Sequence, residues 1–223
     1  MPESVVLITG ASGGLGTPVT EAFLASGALV AATSRRIARA QHPNLRTFPA
    51  DLLKADQAQA LADAVVAQHG RIDALVHLAG GFTGGKPVPE TDLDTWDQML
   101  SLNLGAAVRI FRAVIPHMRR ARQGRIVAIA SKAAVEPAAN VGAYSASKAA
   151  LVSLVKTVAL ENRDLGITAN AILPGTIDTP ANREWGTPED RAKWVSPERL
   201  AALAMFLVSD AAAQITGTAI PVG

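Results

Sequence analysis

The 223 residues suit one α/β domain, and 49% hydrophobic residues with no long polar tract exclude a disordered chain. A net charge of +2 without a sustained basic cluster argues against a nucleic-acid partner, and Arg35-Arg36 and Arg119-Arg120 with Arg122 are too short to supply one. The absence of cysteine excludes disulfides, thiol catalysis and Cys-ligated zinc, and His42, His69 and His117 have no ligand spacing, so no metal is expected.

Met1-Pro2-Glu3-Ser4 runs straight into the apolar Val5–Ile8 with no basic region or small-residue cleavage site, so the cytoplasm is the expected location. The apolar runs are of strand length, and no membrane span is expected. Val5–Ile8, Ala28–Ala32, Ile72–Leu78, Ile126–Ala130 and Ile167–Leu173 are apolar at consecutive positions, as strands buried on both faces are. Leu45–Phe48 and Ala219–Val222 are weaker strand candidates. Between them Gly14–Ser26, Lys54–His69, Leu93–Met118, Gly142–Glu161 and Pro197–Val208 have helical length and spacing, the last opened by a Ser196 cap. This alternation predicts a doubly wound parallel sheet, the Rossmann arrangement, in a single domain over 1–223.

The first strand ends in Thr9-Gly10-Ala11-Ser12-Gly13-Gly14-Leu15-Gly16 and passes directly into a helix. Glycines there permit a tight turn and close backbone approach to a pyrophosphate, whose charge rests on the helix N-terminus. A tight strand-to-helix connection alone would also use glycines, but their place after the first strand favours dinucleotide binding. The second strand ends in Thr33-Ser34-Arg35-Arg36, where two guanidinium groups could grip a phosphate bidentately or simply lie solvated. Farther on, Tyr144-Ser145-Ala146-Ser147-Lys148 opens a predicted helix, placing Tyr144 and Lys148 on one face. Ser131 stands thirteen residues before Tyr144, at the end of a predicted strand, and Asn103 lies on an earlier helix.

Together these motifs resemble the short-chain dehydrogenase/reductase superfamily over essentially the whole chain: T-G-x-x-x-G-x-G, a Ser–Tyr–Lys set, and Pro174-Gly175-Thr176-Ile177-Asp178-Thr179 after the strand Ile167–Leu173. The resemblance implies an oxidoreductase that passes hydride between a nicotinamide cofactor and a small carbonyl or alcohol substrate. It implies Tyr144 as general acid and base, Ser131 as hydrogen-bond donor to the substrate oxygen, and Lys148 as ribose ligand and stabiliser of the phenolate. Asn103 would hold a water linking Lys148 to solvent. Asp51-Leu52 would hold the adenine, Ala79-Gly80 match the tail of the family's N-N-A-G, and Ile177 and Thr179 would bind the carboxamide. Family members that prefer NAD carry an acid in place of Ser34; its absence beside Arg35 and Arg36 points to NADPH over NADH.

The departure is His77-Leu78 where two asparagines are usual, and His77 is expected to be buried and satisfied. The lid, at about 180–195, carries Trp185 and Trp194 with Arg183, Arg191 and Lys193. It could receive an aromatic or anionic substrate, or the indoles could pack it shut. Gly80-Gly81-Phe82-Thr83-Gly84-Gly85 and Asp178–Arg183 resemble patches of dihydropteridine reductases, which however lack a serine at the place of Ser131. A ketone or 3-oxoacyl reductase is favoured over a pterin reductase, and a non-catalytic NADP-binding sensor is the reading of another class. The resemblance also implies a homo-oligomer, tetramer or dimer, built on Leu102–Met118 and Gly142–Glu161.

Overall fold

The computed structural model describes residues 3–38 and 41–223; Met1 and Pro2, part of the N-terminal reading, lie outside them. Seven strands form one parallel sheet: β1 (Val5–Thr9), β2 (Leu29–Ser34), β3 (Leu45–Pro49), β4 (Ala74–His77), β5 (Gly124–Ile129), β6 (Ile167–Pro174) and β7 (Ala219–Val222). Their order is β3-β2-β1-β4-β5-β6-β7. The chain builds outward from β1 to β3, then returns to lay β4 on the other side of β1. That reversal opens a crevice beyond the carboxyl ends of β1 and β4, where an open α/β sheet holds ligands.

Consecutive apolar residues serve two cores because successive strand side chains point to opposite faces. Val5 and Leu7 join the core of α2 (Ala55–His69), α4 (Ala106–Ala121) and α5 (Gly142–Asn162). Val6 and Ile8 join that of α1 (Gly16–Ala25) and α8 (Pro197–Leu207). Phe111 anchors the first core and Phe23 the second, at 2% and 0% exposure; each contributes roughly 1.5–3 kcal/mol by leaving water. Ser196 caps α8, accepting from the Arg199 N–H at 3.3 Å, as its sequence predicts.

The expected helix Leu93–Met118 is instead three pieces on one path. They are α3 (Leu93–Leu100), capped by Asp92; a π turn, Ser101–Gly105; and α4. In the π turn the Ala106 N–H reaches back to the Ser101 carbonyl, which widens the helix and turns Asn103 fully inward. The whole path, Leu93–Ala121, is long and apolar enough to cross a bilayer by length and composition, contrary to the expectation of strand-length apolar runs only. Its Ile110, Phe111, Val114 and Met118 are buried in the first core. The predicted lid contains two short helices, α6 (Pro180–Arg183) and α7 (Pro188–Arg191). Its ends are joined by backbone bonds from Val195 N to Thr176 O (2.8 Å) and from Asp178 N to Val195 O (2.9 Å).

Candidate active site

The crevice beyond β1 is a cleft of about 660 Å³ lined by Gly10, Ser12–Gly16, Ser34–Arg36, Asp51, Leu52, Ala79 and Gly80. Every residue predicted for the adenosine and pyrophosphate half of a dinucleotide therefore meets in one place. Thr33 and Leu78 also line it, and Ala50, Leu53, Leu102 and Ala106 complete the wall without having been singled out in the sequence.

Steric need accounts for the glycines. A Cβ on Gly16 would stand 2.1 Å from the Gly10 carbonyl oxygen, and one on Gly14 would stand 2.9 Å from the Thr179 Cβ. Among the described residues, the N–H groups of Gly14, Leu15 and Gly16 have no backbone acceptor, leaving donors at the start of α1. Open donors on a helix N-terminus, above a cradle that side chains would fill, fit a pyrophosphate.

Ser34 Oγ donates to the Thr33 carbonyl (2.8 Å) and accepts from the Ser12 N–H (3.1 Å), so it pins the glycine loop to β2. Arg35 and Arg36 are exposed on the cleft rim, and among the described residues neither forms an ion pair. One Asp51 oxygen accepts from the Leu53 N–H at 3.0 Å, and the carboxylate borders the cleft.

The catalytic candidates gather at the inner end of this cleft. A Cβ on Gly80 would stand 2.7 Å from Asn103 Oδ1 and 3.2 Å from Lys148 Nζ, so both functional groups crowd that glycine. Asn103 accepts from the Gly81 N–H (2.9 Å) and donates to the Gly81 carbonyl (3.0 Å) and to Ser147 Oγ (3.0 Å). Its side chain thus clamps the loop after β4. Ser147 in turn donates to the Tyr144 carbonyl at 2.7 Å. Sequence reading passed over Ser147, although its place three residues after Tyr144 puts it on the same helix face.

Ser131 lies two residues beyond β5, accepts from the Ala133 N–H at 3.2 Å and turns its hydroxyl toward Tyr144. Burial pushes the Tyr144 phenol above its ordinary 10, with the Ser131 hydroxyl pulling the other way. Lys148 is buried, donates to the Ile129 carbonyl at 3.0 Å, and has its ammonium pushed down to about 8 by desolvation. Its Nζ lies 6.0 Å from the Tyr144 ring centre. In the chain without cofactor, burial outweighs the stabilising contacts and the phenol keeps its proton.

His77 is fully buried and only half satisfied. Its Nδ1 lies 2.9 Å from Thr9 Oγ1, which also accepts from the Leu78 and Ala79 N–H groups at 3.2 and 3.3 Å. With two donors already on the threonine oxygen, its own proton goes to Nδ1, which assigns the ring proton to Nε2. That atom has no hydrogen-bond partner and the ring meets Phe111 edge-on at 5.9 Å, correcting the expectation of a satisfied histidine. Burial, reinforced by the Lys148 charge, holds His77 down to about 3, so it is neutral and serves to brace β1 against β4.

In the carboxamide segment, Gly175 donates to the Val222 carbonyl at 3.0 Å, and Pro174 is buried at the end of β6. The Ile177 carbonyl accepts from Asn182 Nδ2 at 2.8 Å. Thr179 caps α6 through its hydroxyl and rests its side chain against Gly14. The lid's arginines are engaged within the lid. Arg183 binds Asp178 bidentately at 2.5 and 2.7 Å, and Arg191 donates to the Arg183 and Gly186 carbonyls. Trp185 and Trp194 contact each other at 5.4 Å. The two arginines are thus held within this segment, while the Trp185 indole remains 66% exposed. Among the described residues, no three His, Asp or Glu side chains are grouped to hold a metal ion.

Residues 4–190 match the family described as short chain dehydrogenase. D-threitol dehydrogenase of Mycolicibacterium smegmatis is 36% identical over 231 residues, which cover 96% of this chain and 88% of that protein. 2,3-Dihydro-2,3-dihydroxybenzoate dehydrogenase of Escherichia coli is 32% identical over 229 residues, covering 95% and 92%. Among solved structures, the 3-ketoacyl-(acyl-carrier-protein) reductase of Brucella melitensis complexed with NADH superposes with a TM-score of 0.91 at 28% identity, covering 99% of this chain and 97% of that one.

Proposed function

The chain belongs to the short-chain dehydrogenase family, and on that premise we propose that it is an NADPH-dependent carbonyl reductase that converts a ketone or 3-oxoacyl compound to the alcohol, with Tyr144 as its proton-transfer residue. At the level of the family it is an NAD(P)-dependent dehydrogenase/reductase acting on CH–OH and C=O groups. The observation that carries the finer reading is the meeting of Lys148 and Asn103 over Gly80, with Ser131 facing Tyr144, at the inner end of the glycine-lined cleft.

A bound nicotinamide supplies the hydride; the chain supplies the rest. The Ser131 hydroxyl donates to the substrate oxygen and fixes the carbonyl in place. The Tyr144 phenol, kept protonated by burial, delivers its proton to that oxygen as charge develops there. Lys148, anchored on the Ile129 carbonyl, has further N–H donors with which it would hold the cofactor ribose. Asn103 holds Gly81 so that the loop borders the reaction centre. The Brucella reductase was solved with NADH; preference for NADPH here rests on Ser34, Arg35 and Arg36. The direct test is oxidation of NADPH, followed at the nicotinamide absorbance, against ketones, 1,2-diketones, 3-oxoesters and quinonoid pterin. Turnover of the pterin alone would favour the pterin-reductase reading, and turnover of none would favour a nucleotide sensor.

Lys148→Met is expected to weaken cofactor binding and activity yet not to weaken the fold. The folded chain holds this proton less tightly than the unfolded one, about 8 against 10.5. Stability attributable to Lys148 is therefore lowest below pH 8 and rises as pH climbs toward 10.5. Removing the buried ammonium relieves that penalty at neutral pH, partly offset by the Ile129 carbonyl losing its donor. Calorimetry of the cofactor-free protein at pH 7 should give a midpoint at or above wild type. A clearly lower midpoint, with unchanged cofactor affinity, would contradict both roles given to Lys148.

We further propose a homo-oligomer formed through α4 and α5. Light scattering at micromolar concentration should give at least twice the chain mass, and a stable monomer would refute this.

A further inference from the structure

The loop after β4 leaves the side chain of Phe82 65% exposed. Its surroundings set this ring apart from the chain's other exposed apolar side chains. The loop is tied down on both sides. Gly81 is held through its N–H and its carbonyl by the Asn103 amide, at 2.9 and 3.0 Å. Gly85 donates to the Asn140 carbonyl at 2.7 Å, in a left-handed conformation (φ +109) that favours glycine. Between these anchors the Phe82 ring stands edge-on to the Tyr144 ring, with centres 4.9 Å apart and planes at 78°. Gly84 makes room for the ring tip, since a Cβ there would lie 3.2 Å from Phe82 Cζ, 2.8 Å from Val141 Cγ1 and 3.1 Å from the Asn140 carbonyl oxygen. Of the four glycines in G-G-F-T-G-G, Gly84 is the one whose Cβ would press on the ring, while Gly81 and Gly85 carry the hydrogen bonds that hold the loop on either side of it.

We infer that Phe82 is the specificity-determining residue of this enzyme: its ring beside Tyr144 forms one wall of the substrate site and selects carbonyl compounds that carry a flat ring next to the carbonyl. This rests on the proposed carbonyl reduction. A substrate whose oxygen reaches the Tyr144 hydroxyl must place its neighbouring substituent close to this wall. An aryl or flat cyclic group can meet the exposed Phe82 ring in stacked or edge-on contact, whereas a short alkyl group covers little of it.

The test compares matched pairs that differ in this group: acetophenone with butanone, 1-phenyl-1,2-propanedione with 2,3-butanedione, and ethyl benzoylacetate with ethyl acetoacetate. Wild type should show the higher kcat/KM for the ring-bearing member of the pair it accepts. Phe82→Ala should lower that ring-to-alkyl ratio roughly two- to tenfold, the worth of one aromatic pair, chiefly through KM. Gly84→Ala, which keeps the ring but crowds its tip, should shift the ratio the same way, and Phe82→Trp should retain it. Equal loss for both members of a pair would mean that Phe82 acts only through Tyr144 and would overturn the inference, as would a wild type that prefers the alkyl members. A wild type that reduces no carbonyl compound overturns the reduction itself, which separates failure of the function from failure of the wall.

Discussion

Tyr144→Phe is expected to lower kcat for carbonyl reduction by ~10²–10⁴-fold, the usual worth of a positioned general acid. NADPH affinity should change by less than about threefold, because the ring remains and only the proton donor is removed. The change is also gentle on the fold. The Tyr144 ring keeps its edge-on contact with Phe82, and its carbonyl still accepts from Ser147. The hydroxyl removed is one whose ionised form burial already disfavours. Single-turnover reduction and a cofactor titration measure the two quantities separately. Turnover near wild type would take the proton-transfer role from Tyr144. In the direction of alcohol oxidation, where the phenolate must accept a proton, the wild-type rate should climb with pH, since burial holds the phenol above its ordinary value.

Most of the fold could be read from the chain because local pattern and global requirement coincide. Val5-Val6-Leu7-Ile8 can be apolar throughout only in a strand covered on both faces, and alternate members indeed enter the two separate cores. The glycine motif was legible for a similar reason: Gly14 and Gly16 each occupy a place where a Cβ would collide with named atoms. Less legible were features that depend on distant partners. Nothing in Leu93–Met118 announces a π turn, whose Asn103 binds Gly81 and Ser147 on elements distant in the chain. The charge state of Lys148 was likewise hidden, since its desolvation comes from packing around a helix position that sequence shows only as facing Tyr144. His77 was read correctly as buried but not as half satisfied, which requires knowing that Thr9 already accepts from two backbone N–H groups. The lid arginines looked available for an anion until Asp178 and two lid carbonyls were seen to hold them.

Arg35→Ala is expected to weaken NADPH roughly ten- to a hundredfold and NADH little, because a charge-assisted hydrogen bond to the 2′-phosphate is worth ~1.5–3 kcal/mol. The guanidinium lies exposed on the cleft rim with no carboxylate partner among the described residues, so a phosphate meets no internal competitor. Arg36 lines the same rim and can share the phosphate, which sets the lower end of that range. The decisive variant adds an acid. In Ser34→Asp with Arg35→Ala, the new carboxylate can still accept from the Ser12 N–H, so the tether that Ser34 provides between β2 and the glycine loop is kept. Its other oxygen can accept from the ribose hydroxyls of NADH, and its charge repels a 2′-phosphate. Preference should then pass to NADH, read as kcat/KM for both cofactors in wild type, Arg35→Ala and the double variant. The order of the three ratios distinguishes the contributions. A fall at Arg35→Ala assigns the phosphate contact to that guanidinium, and a further fall in the double variant assigns discrimination to the position of Ser34. If wild type already prefers NADH, or the double variant leaves the ratio where it was, Ser34 and Arg35 do not choose the cofactor.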